Sequence, residues 1–188
     1  MIEASAPKPI KVTRFRVGAA VAVLVAVVFV VWLVARGGND SSNTSSTRSL
    51  PVAASVGELA NVAGSLNHQL YWVGQKSGFT YELTKGKTGN VWVRYLPTGV
   101  QVGDTRANFL TIGTYPKANA YQSVLAATKR KGAVAVKAAN GGAAVQYTER
   151  PSSVYVAFPG SNLLIEVFDP SPSTARSVAT SGALRTIG

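Results

Sequence analysis

Residues 17–35 read VGAAVAVLVAVVFVVWLVA, a run without a charge or a strongly polar group. A helix rises ~1.5 Å per residue, so the run covers ~28 Å, close to the ~30 Å hydrocarbon core of a bilayer. A helix in a soluble core would carry a polar stripe, and this run has none. A cleaved signal has a shorter apolar stretch, ~7–15 residues, followed by small residues. Here Leu33-Val34-Ala35 is followed by Arg36, a poor cleavage site. Residues 17–35 are therefore expected to form a retained transmembrane helix, a signal-anchor, with Trp32 at the interface.

Flanking charge sets the orientation. Residues 1–16 hold Lys8, Lys11, Arg14 and Arg16 against Glu3, while residues 36–49 hold Arg36 and Arg48 against Asp40. Positive-inside bias predicts a cytoplasmic N-terminus, with the C-terminal part outside the cell membrane. Residues 1–16 are too short to fold and read as a topology signal. Residues 36–49 are rich in Ser, Gly, Thr and Asn and read as a flexible linker, ~20 Å r.m.s. in span. Residues 50–188 are the size of one extracytoplasmic domain.

Composition removes several chemistries. The chain has no Cys and one His. That excludes disulfides, thiolate metal sites, cysteine nucleophiles and a His-rich metal site, and no cofactor is expected. The net charge of +11 normally points to nucleic acid. The expected topology puts the domain outside the cell, and no RNP or helix-turn-helix pattern occurs, so no nucleic-acid partner is expected.

The domain reads as α+β, a mostly antiparallel sheet with three helices. Ser55-Val56-Gly57-Glu58 is a capping box, followed by Leu59, Val62, Ala63 and Leu66 at helical spacing. Asn119 with Gln122 is expected to start a second helix that ends before Gly132, and Ser171-Pro172 a third that ends at Gly182. Strands are expected at 79–84, 91–96, 109–114, 133–137, 143–148, 154–158, 163–168 and 184–187. Lys85 to Asn90 reads as a hairpin loop that places Glu82 opposite Arg94 as a cross-strand ion pair. Two stretches also match at a period of 54: Asn108-Phe109-Leu110 with Asn162-Leu163-Leu164, Pro116 with Pro170, and Ser123-Val124 with Ser177-Val178. They suggest a duplicated β-β-β-α-β unit.

Several motifs together resemble a family. They are Tyr81-Glu82-Leu83-Thr84, Val93-Arg94-Tyr95-Leu96-Pro97 followed by Gly99, Val102-Gly103-Asp104, Leu110-Thr111-Ile112-Gly113-Thr114-Tyr115-Pro116, and Ile165-Glu166-Val167-Phe168-Asp169-Pro170. The chain over residues 66–185 is similar to uncharacterised actinobacterial membrane-anchored proteins with an extracytoplasmic domain. That resemblance implies a bacterial cell envelope and brings no activity or catalytic residues.

Catalytic signals are weak. No G-x-S-x-G occurs. Lys87-Thr88-Gly89 matches K-T-G, but the S-x-x-K at Ser5-Ala6-Pro7-Lys8 lies on the expected cytoplasmic side, and no S-D-N exists. Gly86-Lys87-Thr88 resembles the end of a P-loop, but Tyr81 stands where Gly is required. His68 lies at the end of the first helix, where a helix-terminus contact or solvent is expected. Glu82 with Glu166 is the carboxylate pair a glycoside hydrolase would need. The run Lys129-Arg130-Lys131 is expected to close the second helix, where cations suit the dipole, or to meet anionic polymers or headgroups. The loop from Pro97 to Asn108 carries Asp104 and Arg106 and is long for a plain connection. The candidate binding residues are therefore Arg94, Asp104, Arg106, Lys129, Arg130 and Lys131. The sequence reading is a non-enzymatic, single-pass binding module for a partner protein or an anionic envelope polymer. An accessory subunit of a membrane complex and an envelope hydrolase are the alternatives.

Overall fold

The computed structural model describes residues 49–187. The expected cytoplasmic tail, transmembrane helix and nearly all of the linker lie outside the described residues. Among the described residues no helix is long and apolar enough to cross a membrane.

The alternation at residues 91–96 extends into a large sheet. In chain order the elements are β1 (Val52–Ala54), α1 (Val56–Ser65), β2 (Leu70–Trp72), β3 (Phe79–Lys85), β4 (Val91–Pro97), β5 (Thr111–Pro116), α2 (Ala120–Ala127), β6 (Ala133–Lys137), β7 (Ala143–Tyr147), β8 (Arg150–Ala157), β9 (Leu163–Phe168), α3 (Pro172–Thr180) and β10 (Arg185–Ile187). Eight strands form one sheet in the order β1-β3-β4-β5-β9-β8-β7-β6, and β10 pairs with β2 in a second, two-stranded sheet. Every pairing is antiparallel. The domain is α+β with three helices, as the sequence predicts.

Period-2 alternation gives the large sheet two different faces. One carries Val91, Val93, Ile112, Val156, Ile165 and Val167 and packs against α1, α3 and the small sheet. The other carries Val145, Tyr155 and Leu164 under α2, which buries Ala120, Val124 and Ala127. Small residues on α2 and α3 let the helix axes approach the strands. The result is three layers: α2, the sheet, then α1, α3 and the small sheet.

Two of the three helix starts follow the expected chemistry. The Ser55 hydroxyl accepts from Glu58 N, and the Glu58 carboxylate accepts from Ser55 N, at 3.2 and 2.6 Å. Those hydrogen bonds hold the Glu58 carboxyl below its usual range. Ser171 caps α3 through Thr174 N, with Pro172 in the first turn. The second start differs. Asn119 is left-handed, with φ 54°, and its side chain makes no cap. Its backbone N–H donates to Asn162 Oδ1 instead, so a tertiary contact fixes the turn. That helix also ends at Ala127, so Lys129-Arg130-Lys131 lies in the turn beyond it rather than in its last turn.

Some strand boundaries moved. β5 begins at Thr111, not at 109, although Leu110 O still accepts from Tyr95 N in the β4–β5 register. β8 begins at Arg150, four residues early, because the β7–β8 turn is tight and a register shift follows Gln146.

The order β-β-β-α-β occurs twice, from β3 to β6 and from β7 to β10. Equivalent elements start at Thr111 and Leu163, Ala120 and Pro172, and Ala133 and Arg185, a spacing of 52 in each case. The residue matches at 54 are therefore two positions out of step with the elements. The strand order is palindromic about the β5–β9 pair, yet α2 and α3 lie on opposite faces. β6 pairs with β7, whereas β10 pairs with β2 and leaves the edge of β3 to β1. No two-fold axis relates the two units.

Candidate functional site

The expected Glu82–Arg94 pair is present: Glu82 faces Arg94 across β3 and β4. Arg94 Nη1 donates to Glu82 Oε1 at 2.6 Å, and the side chains are 19% and 2% exposed. Glu82 Oε2 accepts the backbone N–H of Gly103 at 2.6 Å. The second arm of Arg94 donates to the carbonyl of Arg106 at 3.0 Å. The same guanidinium lies over the Phe109 ring, as does that of Arg106, at 5.2 and 5.7 Å from the centroid. One carboxylate and one guanidinium thus pin residues 98–110 at three points. Gly103 has φ 84°, a left-handed position that suits Gly and turns its N–H toward Glu82.

Asp104 and Arg106 pair within the loop. Arg106 donates its backbone N–H, Nε and Nη2 to the Asp104 carboxylate, at 2.6–3.1 Å. Hydrogen bonds from Arg106 hold the Asp104 carboxyl down to about 2, so the pair is ionised around neutral pH. The pair stands near water, with Arg106 59% exposed, so it shapes the loop more than it stabilises the fold. Three of the six candidate residues, Arg94, Asp104 and Arg106, are thus brought into one network.

The other three are apart from it. Lys129 and Lys131 are exposed and Arg130 is half-buried beside Tyr147, whose phenol burial pushes up and Arg130 pulls down. This turn and residues 98–110 lie at the same end of the strands. The turn borders β6 and β7, and β4 is four strands from β7 in the sheet. At ~4.8 Å per strand that is ~19 Å.

The second buried carboxylate is Glu166. Its Oε2 accepts from Tyr115 Oη at 2.6 Å and its Oε1 from Ser153 Oγ at 2.8 Å. Trp92 Nε1 in turn donates to Tyr115 Oη at 2.8 Å. Burial, with the Glu166 charge second, pushes the Tyr115 and Tyr155 phenols well above their usual range. The Tyr115 hydroxyl therefore stays protonated and donates to Glu166. Gly113 makes room for this: a Cβ there would stand 2.6 Å from Tyr115 Oη. The sequence reading missed Tyr115, Ser153 and Trp92. An isolated Gly inside a strand pattern was the available signal, since it marks a close approach.

The two carboxylates share one face of the sheet but sit on β3 and β9, three strands apart. That is ~14 Å across the strands, beyond the ~5–9.5 Å that glycoside hydrolysis uses. Each carboxylate is also fully engaged by protein donors.

The far end of the strands holds an open cleft of about 640 Å³, lined by Leu66, His68, Thr88, Gly89, Pro116 and Asn162 among others. His68 is not at a helix end. Its ring nitrogens lie 2.9 Å from Gln69 O and 2.8 Å from Gly89 O, tying the segment after α1 to the β3–β4 turn. That turn contains Lys87-Thr88-Gly89 and closes through Gly86 N to Asn90 O. No protein-family model, curated protein or solved structure matches this chain.

Proposed function

We propose that this chain is a single-pass, membrane-anchored extracytoplasmic binding module of a bacterial envelope, without catalytic activity. It belongs, on the motifs above, with the uncharacterised actinobacterial anchored proteins. Residues 17–35 are its span and residues 1–16 face the cytoplasm. The observation that carries the reading is the uncharged run of residues 17–35 joined to a folded domain with a net basic surface. The domain's buried carboxylates are engaged in structural pairs, which favours binding over catalysis. The repeated β-β-β-α-β order is a duplication whose helices were repacked on opposite faces.

The ligand is an anionic envelope polymer, met at the end of the sheet that carries the pinned loop and the 129–131 turn. Arg106, Lys129 and Lys131 are exposed there and act as point charges for phosphate or carboxylate groups. Purified protein is expected to be retained on actinobacterial cell-wall polymer, less so as salt rises. Arg106→Glu combined with Lys129→Glu should weaken retention about tenfold. Salt-independent retention, or none, contradicts the polymer. A protein that co-purifies in mild detergent while the polymer is not retained reassigns the surface to a protein partner.

A further inference from the structure

We propose that the opposite end of the domain, where the chain enters it, docks on the anionic phosphate headgroups of the bilayer. This rests on the anchored reading above. The entry point is fixed: Ser49 donates its N–H to Lys85 O at 2.7 Å, and its hydroxyl accepts from Lys85 N at 2.9 Å. The strand registers gather the β3–β4 turn, the β5–α2 connection and the end of β6 at this same end. Lys85, Lys87, Lys117 and Lys137 stand there, the first, second and fourth exposed and Lys117 half-buried.

No carboxylate of the described residues shares this end. Glu58, Asp104, Glu149 and Asp169 lie at the other end, and Glu82 and Glu166 lie within the sheet. Among the described residues, the charged side chains at the end from which the chain leaves toward the expected span are thus all basic. The confinement of these four carboxylates to the other end, where cations also stand, follows the strand direction, so it is built into the fold.

An apolar side chain completes the surface. Leu50, beside Ser49, is 84% exposed, the most exposed large hydrophobic of the described residues. Lys85 beside Leu50, Lys87 in the adjoining turn, and Lys117 and Lys137 ~10 and ~29 Å along the same end suit an interface that is charged at the headgroups and apolar below them. A wall polymer would use the lysines and leave the leucine in water. Residues 36–48 separate the expected span from Ser49 and cannot extend beyond ~45 Å. The lysines are held near the surface, so docking is intramolecular and weak individual contacts suffice.

The full chain is free of Cys, which allows clean labelling. Thr88→Cys at the entry end and Thr105→Cys in the pinned loop each take a fluorophore. The labelled proteins are reconstituted in nanodiscs of phosphatidylcholine with or without phosphatidylglycerol, each with a headgroup-linked quencher. The label at 88 should be quenched when phosphatidylglycerol is present, and salt should relieve it. The label at 105 should stay bright. Replacing Lys85, Lys87 and Lys137 by Gln should lower the docked-to-free ratio about fivefold for each lysine. Leu50→Ser should lower it further. The salt response of the unsubstituted lysine set makes the same test without relying on those variants folding. Equal signals at 88 in both lipids, or quenching at 105 instead, overturn the docking while the anchor stands. A label at 88 that answers soluble polyphosphate but not phosphatidylglycerol gives the lysines to a polymer and also overturns it. A chain that does not enter the discs removes the anchor and the docking together.

Discussion

Glu82→Ala is expected to lower the unfolding free energy by ~3–5 kcal/mol in a denaturant titration, the range for breaking a buried pair from one side. The carboxylate is almost fully buried, and both oxygens are in use. Its removal leaves the Arg94 guanidinium, 19% exposed, with the Arg106 carbonyl and the Phe109 ring as its remaining partners. It also leaves the Gly103 N–H without its acceptor. The cost should therefore show as earlier proteolysis within residues 98–110 as well as in global stability. The double variant Glu82→Leu with Arg94→Met should recover most of the loss, because two apolar groups do not strand a charge. A double-mutant cycle reads the coupling directly. A loss below ~1 kcal/mol would mean that the pair behaves as a solvated surface bridge, and the loop would not be pinned by it.

Gly113→Ala is expected to cost ~3 kcal/mol, from overpacking together with a disturbed buried hydrogen bond. The added methyl would stand 2.6–2.8 Å from the Tyr115 ring and hydroxyl. The ring cannot simply rotate away, because its hydroxyl joins Glu166 to Trp92. Moving it leaves a buried carboxylate oxygen and an indole N–H without their partner. Tyr115→Phe should cost less, ~1–3 kcal/mol, since it removes the hydrogen bonds without the clash. If Gly113→Ala is neutral or stabilising, as at a strand Gly facing open space, the Tyr115 ring does not lie where it is placed.

Local chemistry was legible in the sequence. Ser55 and Glu58 sit three residues apart and satisfy each other, so no distant residue is needed to read them. Glu82 and Arg94 follow from one short hairpin, and their pairing fixes the register of β3 and β4. Non-local features were not legible. β1 and β2 have three residues each, too few to show a period, and exist because β3 and β10 offer them partners. Asn119 has the composition of an N-cap, but a contact with Asn162 decides its conformation. The pinned loop was visible only as a long segment with Asp104 and Arg106. That Glu82 also holds it through Gly103 requires the backbone to turn a particular N–H inward. The Glu166 network combines β4, β5, β8 and β9, and no linear pattern spells out such a set. The basic entry end was hidden for the same reason: Lys85, Lys87, Lys117 and Lys137 are scattered in sequence and share one end only through strand direction.

The proposed position of the domain outside a membrane underlies the rest, and Thr105→Cys in an otherwise Cys-free chain tests it. Intact bacterial cells that express the chain are treated with a membrane-impermeant maleimide, and the full-length protein is then isolated and weighed. Labelling without permeabilisation, on a membrane-bound chain that retains residues 17–35, is the expected result. Labelling only after permeabilisation would put the domain in the cytoplasm, and a labelled chain shed into the medium without residues 17–35 would show a cleaved signal. Either outcome contradicts the anchored extracytoplasmic module.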